Sequence, residues 1–233
     1  RTDLSVSLRV PPPGNPDQST TIFGTLEMLV TAGGVYRGHC GEVDSRGRIF
    51  SGHAMDETLR ADAAAVANHA RETGFFGPCG IDAFTYTHSP AESALPMADR
   101  PEDDTSPERE HLRSLVEFNA RMTMGGVAIG LVRRVLPKIR TALDLDPGGR
   151  RGFILTFLDP RSGDEEDQRL DALLRSGEPD AFAIDLAATP EHDALRPVLV
   201  VSRDRESLRR APPDPFGLQP RRRRPLGPAP PQH

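Results

Sequence analysis

Alternating apolar and polar positions mark the first part of the chain. Over Thr2 to Val10, the residues Leu4, Val6 and Leu8 fall on one face, the pattern of a half-buried strand. Pro11-Pro12-Pro13-Gly14-Asn15-Pro16-Asp17 then forms a turn or loop that neither strand nor helix can absorb, and Thr21 to Val30 predicts a second strand. Gly33-Gly34 predicts another turn. The glycine-rich stretch to His53 reads as short strands joined at Asp44-Ser45-Arg46-Gly47. From Asp56 the spacing becomes helical. Leu59, Ala63, Val66, Ala67 and Ala70 recur three and four residues apart, and Gly74 stands where such a helix stops. Asp56 and Glu57 suit the positive end of its dipole, and the small alanines predict close packing on a sheet.

Gly74-Phe75-Phe76-Gly77-Pro78-Cys79-Gly80 predicts a rigid turn into a strand at Ile81 to Tyr86, with Asp82 an acid early in an apolar run. His88 to Glu110 is polar, acidic and proline-bearing, and reads as an extended loop between two strands. Leu112 to Arg121 then reads as a buried strand, because Leu115, Val116 and Phe118 are good β formers. Strand side chains alternate, so Leu115, Glu117 and Asn119 share one face while Val116 and Phe118 take the other. An ionised carboxylate inside a sheet is costly unless it is paired or meets a cation. A carboxylate and an amide oxygen two residues apart on one face suit a hard cation such as Mg²⁺. The same spacing also fits the wet face of an edge strand, and spacing alone does not choose. Met124, Val127, Ala128, Leu131, Val132 and Val135 next trace a helical stripe that Pro137 should end, with Arg133 and Arg134 turned to solvent. Gly125-Gly126 near its start lets the backbone approach a ligand or the sheet.

Beyond Asp146-Pro147-Gly148-Gly149 the pattern restarts. Phe153 to Leu158, Ala181 to Leu186 and Arg196 to Val201 predict strands, Asp164 to Ser176 a polar helix with Leu170, Leu173 and Leu174 on one side, and Asp204 to Arg210 a short helix. This part is either a small α/β unit or an extension of the first sheet. From Ala211 the prolines rule out packed structure; Arg221 to Arg224 could touch nucleic acid or an acidic partner, but composition favours a disordered, solubilising tail. The expected organisation is therefore residues 1–148, a small α/β segment over 149–210, and a Pro/Arg-rich tail over 211–233. The expected fold class is α+β, an antiparallel sheet with packed helices.

Composition narrows the function. Hydrophobic residues make up 36% and aromatics 5% of the 233 residues, lean for a chain of this length, so the ordered part is expected to be smaller than the whole. A net charge of −5 gives no electrostatic case for nucleic-acid binding over most of the length. Cys40 and Cys79 are too few for a disulfide framework and are not in metal-binding spacing, which points to a reducing, cytoplasmic setting. No apolar run is long enough to span a membrane, so no membrane partner is expected. The chain opens on Arg1 within a strand-like run, which suggests a fragment whose upstream part is missing. His53, His69 and His88 have no paired acid in sequence and read as surface or loop histidines, and Cys79 as a small buried residue rather than a nucleophile.

If the strand of Asp82 neighbours that of Glu117 and Asn119, three oxygen-bearing side chains converge, with Arg121 two residues further on. Mg²⁺ takes one or two carboxylates plus waters and phosphate oxygens, and an arginine fork suits the same phosphates. Gly-Ile-Asp-Ala-Phe followed by Val-Glu-Phe-Asn-Ala-Arg resembles the paired strands of the ATP-grasp carboxylate–amine ligases, over about residues 1–136. The alanine-rich helix before Gly74-Phe75-Phe76-Gly77 resembles the helix ahead of that family's aspartate strand, and Asp3-Leu4-Ser5-Val6 the strand after its nucleotide hinge. Ala120 stands where the family often has Pro, and Gly80 where some members have arginine; the lysines and glycine-rich loop that hold ATP lie upstream of the matched part. The resemblance implies Asp82, Glu117 and Asn119 as metal ligands, with Glu117 bridging two ions, and Arg121 as the catalytic, phosphate-binding residue. It implies Mg²⁺, with Mn²⁺ as a substitute, and ATP as cofactors. The partner would be a small-molecule or peptide carboxylate, joined to an amine-type nucleophile through an acyl phosphate, and the intact protein would be an enzyme forming carbon–nitrogen bonds. The alternative is a non-catalytic ATP/Mg-binding or protein-interaction module of the same fold. Oligomeric state, product and substrates are not legible.

Overall fold

The computed structural model describes residues 1–14, 18–30, 34–87, 110–159, 165–176, 178, 180–187, 195–203 and 208. The sequence readings of a loop from His88 to Glu110, of a helix from Asp204 to Arg210 and of the arginine-rich tail fall on residues 88–109, 204–207 and 209–233, outside that description. Nine strands and three helices follow in the order β1 (Thr2–Val10), β2 (Thr21–Val30), β3 (Tyr36–Asp44), β4 (Ile49–Phe50), α1 (Asp56–Glu72), β5 (Gly77–Thr87), β6 (Glu110–Asn119), α2 (Met124–Ala142), β7 (Arg150–Leu158), α3 (Glu165–Ser176), β8 (Ala181–Asp185) and β9 (Arg196–Ser202). All nine strands join one sheet, ordered β6-β5-β1-β2-β4-β3-β7-β9-β8. Neighbours are antiparallel except β2 and β4, whose only paired residues are Gly24 and Ile49. The class is α+β, as expected. The strands after Gly149 continue the same sheet, because β7 pairs with β3 from Gly38↔Thr156 to Asp44↔Arg150.

Strand alternation assigns the two faces. Leu4, Val6 and Leu8 of β1 and Ile81 of β5 pack against Leu59, Ala63 and Ala67 of α1. On the other side, Ala128, Ile129, Val132 and Ile139 of α2 pack on Leu26, Val43, Phe153 and Leu155. Helix α3 sets Leu170 and Leu173 on Leu158, Val198 and Val200, a separate cluster at the β8 end of the sheet. Because helices cover both faces, β1 is a central strand rather than the half-buried one its alternation predicts: Leu4 through Leu8 are all buried, including Ser5 and Ser7.

The turn read at Asp44 to Gly47 forms as expected. The Asp44 carboxylate accepts from the backbone N–H groups of Arg46 and Arg48 at 2.9 Å each, and Gly47 takes φ +79°. Helix α1 begins at Asp56 and is followed by Gly74 at φ +95°. Two expectations for α2 are corrected. The helix runs five residues past Pro137 to Ala142, since Leu136 and Ile139 stay buried on the α2 face. Burying such side chains contributes about 1.5–3 kcal/mol each, enough to offset the proline penalty of about 3 kcal/mol. Arg133 does not simply face solvent: its guanidinium donates to the carbonyls of Gly47 (2.9 Å) and Phe23 (2.7 Å), tying α2 to the β3–β4 turn.

Candidate functional site

Strands β5 and β6 are antiparallel neighbours, and their register places Asp82 opposite Glu117 and Gly80 opposite Asn119. All these positions face the α2 side of the sheet. Asp82 is also level with Ser5 on β1. The Asn119 side-chain N–H donates to the Asp82 carboxylate at 3.0 Å. Asn119 is buried, Asp82 half-buried and Glu117 exposed, so the group slopes from the sheet interior to solvent. Arg121 is exposed, and its backbone N–H donates to the Asn119 carbonyl at 2.7 Å in the tight turn that ends β6. The register thus brings Asp82, Glu117 and Asn119 together, with Arg121 in the turn that follows.

The reading of β6 as a buried strand is corrected. It is the outermost strand of the described sheet, and Leu115 and Val116 are 44% and 52% exposed. The cause is a bulge. Asp82 pairs with Glu117 but Phe84 pairs with Arg113, so Ser114, Leu115 and Val116 stand against Ala83 alone. Extra residues bend the bulged strand and re-aim its side chains. Phe118 still turns inward on the α1 side, edge-on to Phe75 with ring centroids 5.3 Å apart.

The electrostatics follow from this geometry. Burial pushes the Asp82 carboxyl above its ordinary pKa, and the Glu117 carboxylate across the strand pair pushes it further, with Asp3 adding a smaller push. The Asn119 hydrogen bond and the Arg121 charge pull it down without cancelling that rise. A carboxylate held up by burial and by a second carboxylate is one that a cation would relieve. The donors available are two carboxylates and one amide oxygen, hard ligands that fit Mg²⁺. Among the described residues no three His, Cys, Asp or Glu side chains form a metal-binding group, so a cation here would also need water or phosphate oxygens.

Four further residues belong to this neighbourhood that sequence reasoning missed. Ser5 Oγ is buried level with Asp82 and has no hydrogen-bond partner among the described residues. Ser7 Oγ lies 3.4 Å from Thr123 Oγ1, and Thr123 caps α2 by accepting from the Gly126 N–H. His39 is buried beside the helix start, its Nδ1 2.6 Å from the Tyr36 hydroxyl, and burial lowers its pKa to about 4. The signal for the serines was present as Ser5 and Ser7 alternating with leucine and valine, but alternation was read as exposure. Cys79 is buried, and burial raises its thiol to about 11, in keeping with a packing role. His53 sits in the loop before α1, with Nε2 3.2 Å from Glu110; His69 is exposed on α1, and His88 lies outside the described residues.

The glycines at the helix start serve the sheet. A side-chain carbon at Gly125 would lie 3.1 Å from Ser7 Oγ, and one at Gly80 only 2.5 Å from Thr123 Cγ2. No side chain fits at position 80 without displacing the cap residue. Gly80→Ala is expected to cost about 1–3 kcal/mol by overpacking, read as a lower melting temperature. Gly80→Ala combined with Thr123→Ser, which removes the clashing methyl while keeping a capping hydroxyl, should recover most of that loss.

No family profile matches the chain, and no curated protein matches it in sequence. Solved structures do resemble it. Over 89% of this chain, N5-carboxyaminoimidazole synthase from Aspergillus clavatus, solved with ADP and 5-aminoimidazole ribonucleotide, aligns at 12% identity and a TM-score of 0.43. The biotin carboxylase domain of Hydrogenobacter thermophilus 2-oxoglutarate carboxylase, solved with MgADP, ADP and bicarbonate, aligns over 87% at 10% identity and a TM-score of 0.43. Campylobacter jejuni biotin carboxylase aligns over 88% at 11% identity and a TM-score of 0.40. These solved proteins are ATP-grasp enzymes. The chain spans 48%, 42% and 43% of their respective lengths, under half in each case.

Proposed function

We propose that this chain carries the metal- and phosphate-binding half of an ATP-dependent ligase that joins a carboxylate to an amine-type nucleophile. The observation that supports it is the placing of Asp82, Glu117 and Asn119 at matched register on one sheet face. Arg121 and the start of α2 follow directly in the chain. Asp82, Glu117 and the Asn119 amide oxygen would hold Mg²⁺; for that, the Asn119 amide turns its oxygen rather than its nitrogen toward the cation. When bound, Mg²⁺ supplies charge neutralisation for ATP phosphates.

In the proposed reaction an oxygen of the substrate carboxylate forms a bond to the γ-phosphorus, the β–γ bridging bond breaks, and ADP leaves. The amine then bonds to the acyl carbon, phosphate departs, and the amine proton passes to solvent. This chemistry asks mainly for positioning and charge stabilisation. Arg121, exposed at the end of β6, offers a planar fork of donors to the transferred phosphoryl group. Ser5 and Ser7 form a buried polar floor beneath, and Thr123 fixes the start of α2, whose positive end favours bound anions. The setting proposed is cytoplasmic, and the nucleotide cradle lies in another part of the intact protein.

The reading is tested with Mn²⁺ as a paramagnetic probe. Micromolar Mn²⁺ should broaden the amide resonances of residues 80–82 and 117–121 first, and excess Mg²⁺ should restore them. Broadening elsewhere, with these residues untouched, would overturn the metal assignment.

A further inference from the structure

A second cleft, lined by neither Asp82 nor Glu117, receives residues from both α1 and α2. It encloses about 820 Å³ between the first turn of α1, β4 and the start of β7. That size falls among the usual small-molecule sites. Its floor is the ring of Phe50, and three guanidinium groups surround that ring. The central carbons of Arg150, Arg60 and Arg48 lie 4.1, 5.1 and 5.8 Å from the ring centroid. Arg133 lines the same cleft from α2.

Each of the three cations around the phenyl ring is paired with one carboxylate, Arg48 with Asp44, Arg60 with Asp56 and Arg150 with Glu42. What the cleft offers a ligand is therefore unused donor edges rather than an excess of charge. Arg48 gives its Nε to Asp44 at 2.6 Å and Arg150 one Nη to Glu42 at 2.9 Å, and these are their only side-chain hydrogen bonds to acids among the described residues. Arg60 is held more tightly, by Asp56, Thr25 and the Ile49 carbonyl. Each guanidinium carries five donors in a fixed fork, so Arg48 and Arg150 retain unused edges. Both are about half exposed or more, with side chains 64% and 49% accessible. Arginine forks match the tetrahedral oxygens of phosphate with paired, charge-assisted hydrogen bonds. Ile22, Phe23 and Ile49 give the cleft an apolar wall that a bare ion does not need but a small organic group would contact.

We propose that this cleft is a binding site for a phosphate dianion, free or as the monoester of a small molecule, held by Arg48 and Arg150 over Phe50. Arg60 shapes the floor, and Glu57, exposed at the mouth, weakens binding by repulsion. The site does not depend on the proposed ligase reading, because none of its residues belongs to the Asp82–Glu117–Asn119 group.

The test uses the full chain and three probes at matched ionic strength: inorganic phosphate, glycerol 3-phosphate and succinate, with sodium chloride as reference. Binding is followed by melting temperature and by ³¹P line width. Phosphate or glycerol 3-phosphate should raise the melting temperature in a saturable way. Equal affinities assign the free ion, and tighter binding of the ester assigns an organic phosphate. Arg48→Gln with Arg150→Gln should weaken binding about tenfold or more, the loss expected for charged hydrogen bonds. Glu57→Gln should tighten it a few-fold, an effect that misfolding cannot mimic. Glu117→Gln should leave it unchanged. A response no larger than that to chloride, a response to succinate alone, or unaltered binding in the double arginine variant would each overturn the proposal.

Discussion

Replacing Glu117 by Gln is expected to make the metal-free chain more stable and to remove most of the stabilisation that Mg²⁺ confers. The two effects have one cause. Asp82 and Glu117 are direct cross-strand partners of like charge, an arrangement that costs about 0.2–1 kcal/mol relative to a neutral pair. Removing the Glu117 charge relieves that cost, and it also removes a carboxylate ligand, which should lower Mg²⁺ affinity on the order of 100-fold. The pH dependence follows the same logic. Asp82 titrates above its ordinary value in the folded chain, so the native state binds more protons than the unfolded state. Its contribution is therefore fully present below the unfolded carboxylate pKa and is lost as pH rises through the folded one. Glu117→Gln should shrink that loss. Melts between pH 3 and 7, with and without MgCl₂, provide the check, together with Mg²⁺-dependent ADP release by the intact protein. Mg²⁺ stabilising the variant as strongly as the parent, or unchanged turnover, would sink the assignment.

Asp56→Ala should have the larger effect on folding, about 3–5 kcal/mol, the scale on which breaking one partner of a buried charged network destabilises a protein. Its carboxylate accepts from the Ser51 N–H (2.9 Å) and hydroxyl (2.5 Å), from the Thr25 hydroxyl (2.5 Å) and from Arg60 Nε (2.7 Å). One side chain thus joins β2, the end of β4 and the first turn of α1. Truncation removes the shared acceptor of the Ser51 and Thr25 hydroxyls and the carboxylate partner of the half-buried Arg60 guanidinium, which keeps Thr25 and the Ile49 carbonyl. Against a typical total of about 5–15 kcal/mol, much of the stability margin disappears. Burial by itself would raise the Asp56 pKa, but the bonds from Ser51, Thr25 and Arg60 outweigh it and hold the carboxyl below its ordinary value. The contribution is then present above the unfolded carboxylate pKa and lost as pH falls through the folded one. The acid limb of the stability curve should flatten in Asp56→Ala. Asp56→Asn, which keeps one acceptor, should fall between the two, and a denaturant melt showing no cost for either substitution would refute this account.

The sequence carried the local grammar well. The Asp44–Gly47 turn, the alanine face of α1 and its stop before Gly74 rest on short-range chemistry, and each is found; the pairing of β5 with β6, left conditional by the sequence, is supplied by the sheet. What it concealed is set by register and burial. Nothing in Leu115-Val116 announces a bulge, because periodicity does not encode how many residues oppose Ala83. Ser5 and Ser7 looked solvent-facing until the second helix covered their side of the sheet. Asp56 suited a helix dipole in one dimension, whereas in three dimensions its main partners come from β2 and the segment after β4. The Asp82–Glu117–Asn119 group was legible because residue order and a family resemblance pointed to the same strands. The arginines around Phe50 were not, since positions 48, 60 and 150 meet only after the sheet closes.

The β6 bulge has a bearing on how the protein behaves in a crowded solution. An outermost strand exposing Leu115 and Val116 would, if straight, offer a ten-residue row of backbone donors and acceptors to any other extended chain. Such edges nucleate intermolecular sheets. With three residues set against one, the row that is outermost among the described residues is broken midway, and a bulge of this kind twists an edge away from a partner strand. The irregularity beside the candidate metal site therefore also acts as a safeguard against fibrous self-association, one that a sequence edited to regularise β6 would lose.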